Sequence, residues 1–277
     1  MRKALAAALL AAAICTAAAA RVAPVQPEQI RLMGTPIQGG LLKGQAPAGT
    51  AALSLDGKPV PRGADGNFLI AFDRDAAPGA VLEAVLADSR VIRQPLTIAP
   101  RRWRVERVNV ARRPGGPTEA YLRLRETELA RIAAARAVQG ASEGWRQRFI
   151  WPARGRISGV FGSQRIYRGV PGSFHSGVDV APGAGVEVVA PADGVVVLAG
   201  PPAFSLEGNL VILDHGMGLN SAFLHLATTA VREGERVRQG QRIGTVGATG
   251  RATGPHLHWS MKWQEARIDP AMVAGPN

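Results

Sequence analysis

Short apolar runs that alternate at period two and break every few residues at Gly, Pro or Asp mark this chain as mainly β. Ala51, Leu53 and Leu55 alternate with Ala52 and Ser54 and stop at Asp56-Gly57, and Asp65-Gly66 opens Phe68, Ile70 and Phe72. Val81 to Leu86, Val91-Ile92, Leu96-Ile98 and Trp103-Val105 continue at similar spacing. Many short strands separated by tight turns predict a small antiparallel β-sandwich over residues 22–110. That segment holds no His, and its expected role is structural or positioning.

Residues 111–148 break the pattern. Arg112-Arg113-Pro114-Gly115-Gly116-Pro117 reads as a linker. The chain's one helical stretch should start at Pro117, a residue suited to a first helical turn. It runs through Leu122, Leu129, Ile132 and Ala133, with Glu119 and Arg123 as an (i, i+4) pair, and Gly140 ends it. From residue 149 to 277 strands return. Glu187 to Val189 and Val195 to Val197 flank Pro191-Ala192-Asp193-Gly194, a hairpin signal.

The first twenty residues read as an export signal. Arg2 and Lys3 are followed by the apolar run Ala4 to Ala13 and by small residues up to Ala20. Cleavage there would remove Cys15, the only cysteine, so no disulfide framework is available. Beyond this leader no apolar stretch approaches the roughly 20 residues of a spanning helix. The formal net charge is +12. In an exported protein such charge favours anionic cell-wall polymers over nucleic acid. The expected location is the periplasm.

All five histidines lie in the second half: His175, His215, His225, His256 and His258. On a strand, His256, His258, Ser260 and Lys262 share one face while Leu257, Trp259, Met261 and Trp263 share the core face. His175-Ser176-Gly177-Val178-Asp179 sets a carboxylate four residues after an imidazole, an even offset that returns both to one side of an extended segment. Neutral imidazole and carboxylate are ligands that Zn²⁺ accepts, and a catalytic zinc keeps an open position beside three of them. His215, in Asp214-His215-Gly216, is expected to make a structural hydrogen bond in a turn.

Gly159-Val160-Phe161-Gly162, His175-Ser176-Gly177-Val178-Asp179, Pro191-Ala192-Asp193-Gly194, Phe223-Leu224-His225-Leu226 and Gly254-Pro255-His256-Leu257-His258 occur in one order over residues 150–272. In that order they resemble the lysostaphin-type (LytM) zinc metallo-endopeptidases, which cut peptide cross-links of peptidoglycan. The resemblance implies an antiparallel β-sheet catalytic domain over residues 149–277, with one Zn²⁺ held by His175, Asp179 and His258. It also implies that His225 and His256 are catalytic without binding the metal. One departure is Phe223, where the family commonly has Tyr. The expected activity is hydrolysis of peptidoglycan stem-peptide cross-links, with a D,D-endopeptidase specificity. The alternative is a catalytically inactive, peptidoglycan-binding activator of another cell-wall hydrolase, working with a regulatory partner; relatives of that kind usually lack metal ligands. A lipoyl- or biotinyl-carrier reading fails because no Lys lies between Lys58 and Lys262.

Overall fold

A computed structural model describes residues 29–109 and 117–277. The expected leader at 1–20 and most of the linker at 112–117 lie outside the described residues. In chain order the first unit contains β1 (Arg31–Met33), β2 (Leu41–Gln45), β3 (Thr50–Leu55), β4 (Lys58–Pro59), β5 (Asn67–Ala71), β6 (Gly79–Leu86) and β7 (Val91–Thr97). They form two antiparallel sheets, ordered β1-β2-β5 and β4-β3-β6-β7. β6 alternates as its sequence requires, burying Ala80, Leu82, Ala84 and Leu86. β5 does not alternate: Phe68, Leu69 and Ile70 are all buried. Its second face is covered because the apolar cluster of this unit is continuous with that of the second half.

The next strand corrects the expected boundary at residue 110. β8 (Val105–Val108) belongs to neither sandwich sheet. It pairs in parallel with β10 (Gln164–Tyr167), which also pairs with β11 (Val170–Pro171). Trp103 steers the chain there: its ring meets Phe161 edge-on at 5.8 Å, and a side chain at Gly162 would collide with it. Ion pairs tie the halves together as well. Arg267 grips Asp73 through Nε (2.9 Å) and Nη2 (3.0 Å), and Arg101 reaches Asp269 at 2.8 Å.

α1 (Glu119–Ala137) begins later than predicted. Thr118, not Pro117, caps it, its hydroxyl accepting from the Tyr121 N–H, and the helix stops before Gly140. Leu122 and Leu129 are each 52% exposed, while Ile132 packs against a buried cluster that contains Ala135. A buried ion cluster sets the rotation. The Arg125 guanidinium forks onto Glu207 (2.8 and 3.0 Å) and donates to Glu128, which accepts from the Ser205 N–H and hydroxyl. Charge-assisted bidentate pairing outweighs the two leucines in choosing the buried face. Arg125→Leu strands two mostly buried carboxylates and is expected to cost about 2–4 kcal/mol, read from urea unfolding.

The second half adds β9 (Arg156–Gly159), β12 (Val178–Ala181), β13 (Glu187–Val189), β14 (Gly194–Leu198), β15 (Asn209–Asp214), β16 (Leu219–Thr229), β17 (Arg236–Val237), β18 (Arg242–Val246), β19 (Leu257–Trp263), β20 (Ala266–Ile268) and the short α2 (Pro270–Ala274). The main sheet runs β17-β14-β15-β16-β19-β12-β9 and is antiparallel, so the mainly β, antiparallel expectation holds. The predicted hairpin over 191–194 is corrected. β13 pairs with β18, whereas β14 pairs with β15 and β17. Backbone carbonyls in the turn are taken by other segments: Pro191 accepts from the Ile150 N–H and Ala190 from the Gly240 N–H.

Candidate metal centre and catalytic histidines

Strand register builds the centre. Asp179 on β12 stands directly opposite His258 on β19 and opposite Gly159 on β9, so carboxylate and imidazole share one sheet face. On β19, Leu257, Trp259, Met261 and Trp263 are buried, as the alternation requires. His175 arrives from a loop rather than an extended strand. Its N–H donates to the Ser163 carbonyl and its own carbonyl accepts from the Gly162 N–H.

The three side chains converge. His175 Nε2 lies 3.0 Å from Asp179 Oδ1 and 3.0 Å from His258 Nδ1, and the third edge, His258 Nδ1 to Asp179 Oδ1, is 2.9 Å. His175 Nδ1 sits 3.1 Å from the Val160 carbonyl, which can only accept, so Nδ1 carries the hydrogen and Nε2 is bare. Two imidazole nitrogens and a carboxylate oxygen packed this closely cannot satisfy one another by hydrogen bonding alone. One divalent ion with bonds of about 2.0–2.1 Å can touch all three. Among the described residues these three are the cluster able to hold a metal.

Electrostatics follow from the same contacts. Burial works to raise the Asp179 pKa, but hydrogen bonds and charge from His175 and His258 outweigh it and hold the carboxylate well below its usual range. Burial, reinforced by repulsion from His175 and His256, pushes His258 down despite Asp179. His175 is lifted: burial opposes its charged form, yet Asp179 prevails. Asp179 is therefore held as the carboxylate and His258 as the neutral imidazole, the forms in which both can donate to a cation.

His225 and His256 flank the cluster. Their rings lie 4.8 Å apart by centroid, and His225 is 6.3 Å from His258. Each donates from Nδ1 to a backbone carbonyl, His225 to Thr249 (2.9 Å) and His256 to Gly254 (2.8 Å), which leaves both Nε2 atoms bare. Burial lowers the His225 pKa, with further repulsion from His256 and His258. His225 is thus a neutral proton acceptor near pH 7.

The position of His225 could not be read from Phe223-Leu224-His225-Leu226, which looks like uninterrupted strand. β16 pairs with β19 up to Leu224 and with β18 from Leu226 onward. His225 lies at the changeover with a left-handed φ of 63°, and its N–H leaves the sheet for the Glu207 carbonyl at 2.8 Å. Strain of this kind in a non-glycine residue persists where the surroundings fix it. Phe223 lies in the core, fully buried.

Two glycines in the quoted motifs also prove to matter sterically. A Cβ at Gly177 would lie 2.5 Å from the Trp259 carbonyl oxygen and 2.7 Å from His258 Nε2, and one at Gly159 would overlap the Asp179 carboxylate. Their signal was visible in the sequence, as Gly beside Val160 and between Ser176 and Val178, but its meaning needed the register.

His215 lies apart from the cluster. It is fully buried, with Nδ1 2.8 Å from the Asp193 carbonyl and Nε2 2.9 Å from Ser221 Oγ, so it is the structural histidine the turn suggested. Burial depresses its pKa to about 4. Between that value and about 6.5 the unfolded chain binds more protons than the folded one. Stability from this group is therefore complete above about pH 6.5 and is lost as the pH falls toward 4, by at most about 1.4 kcal/mol per pH unit. Urea unfolding across this range should show a shallower pH slope in His215→Asn than in the native chain.

Residues 173–270 match Peptidase family M23. The chain is 39% identical over 119 residues to peptidoglycan DD-endopeptidase ShyA of Vibrio cholerae, covering 42% of this chain and 26% of that protein. It is 34% identical over 120 residues to murein hydrolase activator NlpD of Escherichia coli, covering 43% of this chain and 29% of that one. The chain thus spans about a quarter of the length of these curated relatives. A solved structure from Pseudomonas aeruginosa assigned to peptidase M23 superposes with a TM-score of 0.65 at 29% identity, over 87% of this chain and 95% of that one.

Proposed function

We propose that this chain, whose residues 173–270 form a peptidase family M23 domain, is an exported zinc metallo-endopeptidase that hydrolyses peptide cross-links of peptidoglycan. The observation that carries the reading is the triangle of His175, Asp179 and His258 donor atoms beside two bare imidazole nitrogens. Export rests on the leader at residues 1–20, and a D,D specificity on the similarity to ShyA.

His175, Asp179 and His258 would hold the ion. A bound zinc supplies Lewis acidity that polarises an amide carbonyl and makes water a competent nucleophile near neutral pH. The chain's own groups move the protons. As water adds to the scissile carbonyl, its proton passes to a bare Nε2 of His225 or His256. The resulting imidazolium then protonates the departing amine, and the C–N bond breaks to an acid and an amine. Backbone carbonyls at Nδ1 hold both rings in the accepting tautomer throughout.

Purified full-length protein incubated with isolated sacculi should release muropeptides shortened at the cross-link, identified by mass spectrometry, and a chelator should abolish the release. A second reading, an inactive activator of another hydrolase, is favoured by the similarity to NlpD. It predicts no release by the chain alone and stimulation of a partner hydrolase that survives chelation. The complete donor set weighs against it.

A further inference from the structure

A groove of about 1010 Å³ is lined by His175 and Asp179 and, from the first half of the chain, by Arg104 and Glu106. Three arginines line it: Arg104, Arg165 and Arg251. Arg165 is committed, its Nε donating to Glu106 at 2.8 Å. The Arg104 and Arg251 guanidiniums have no ion pair or hydrogen bond among the described residues. Both are nonetheless carried on fixed backbone. The Arg104 carbonyl accepts from the Gln164 N–H at 3.0 Å, next to Trp103 packed on Phe161, and the Arg251 N–H donates to the Leu206 carbonyl at 2.9 Å.

Resting on the peptidase reading, we propose that Arg104 and Arg251 form a carboxylate-recognition subsite, so that the preferred substrate is a branched peptide carrying a free carboxylate beside the scissile amide. A guanidinium fork matches a planar carboxylate bidentately, and two such groups without a partner among the described residues, on the lining of a groove that also holds His175 and Asp179, raise the local concentration of an anionic peptide. Glu106 pairs with Arg165 and leaves Arg104 and Arg251 as the lining cations with no partner among the described residues. Arg104 lies outside residues 173–270 and Arg251 inside them, so the chain's first half contributes one of the two cations to a groove that the matched domain otherwise builds. In a cross-linked stem peptide the carboxylate has two sources, the chain's C-terminus or the side chain of the diamino acid at the branch.

The test uses the metal-loaded full chain and four synthetic branched peptides: the free acid, the C-terminal amide, the side-chain amide and the diamide. The native protein is expected to favour the free acid over the diamide about tenfold in kcat/KM, mostly through KM. The single amide that loses this preference identifies the source. Arg104→Gln and Arg251→Gln should each lower kcat/KM on the free acid several-fold, leave kcat and the diamide unaffected, and flatten the dependence on salt. Equal cleavage of free acid and diamide by the native protein overturns the proposal, as does a double variant that keeps the preference. Binding of the same peptides to chelated protein, followed by fluorescence anisotropy, separates the two readings. Preferential binding of the free acid together with no cleavage of any peptide by the metal-loaded chain refutes the peptidase reading and upholds the subsite; cleavage of every peptide alike by the metal-loaded chain does the reverse.

Discussion

Replacing His258 or Asp179 with alanine is expected to remove bound zinc and to lower turnover on sacculi by about 10³-fold or more. Both residues supply one vertex of a triangle whose edges are 2.9–3.0 Å, and two remaining donors hold a divalent ion far more weakly than three. Asp179 has a second part in this. Its carboxylate offsets one unit of the ion's charge and faces both imidazoles, so Asp179→Asn, which keeps the shape and loses the charge, should already lose most of the metal. Elemental analysis of the purified variants decides it. Stoichiometric zinc in His258→Ala would place the ion elsewhere. The loss should not come from misfolding, because the core face of β19 is made by Leu257 and Trp259 and is untouched by the change.

The same strand explains how much of this centre was legible beforehand. His256, Leu257 and His258 reveal their sides through alternation alone, since Leu257 needs the core and its neighbours then cannot have it. Asp179 was readable as a partner of His175 by offset, although the convergence is made by a loop and by the cross-strand pairing of Asp179 with His258. Register is a non-local property, and no spacing within one segment encodes it. The hairpin at 191–194 failed for a related reason. Its turn residues are correct for a reversal, but the strands on either side find better partners in β18, β15 and β17. α1 was legible as a helix and illegible in its rotation. The spacing of Leu122, Leu129 and Ile132 marks a helix without naming its buried side, and the Arg125, Glu128 and Glu207 cluster leaves Leu122 and Leu129 half exposed. That choice depends on a loop more than seventy residues away, which no helical periodicity can report.

His225→Ala is expected to lower kcat by about 10²–10⁴-fold without loss of zinc, because in the proposed mechanism the ring moves protons and does not bind the ion. The substitution is unusually clean. Alanine has a Cβ just as histidine does, so the left-handed φ of 63° is equally strained in both, and the N–H can still donate to the Glu207 carbonyl. What disappears is the imidazole whose Nδ1 donates to the Thr249 carbonyl and whose Nε2 is bare. A comparison with His225→Gly separates backbone from ring. Glycine relieves strain of about 1 kcal/mol at this position, so this variant should resist urea better than His225→Ala and be no more active. A drop in metal content parallel to the drop in kcat would move His225 into the ligand set. Unchanged turnover in His225→Ala would leave His256, 4.8 Å away by ring centroid, as the sole proton carrier.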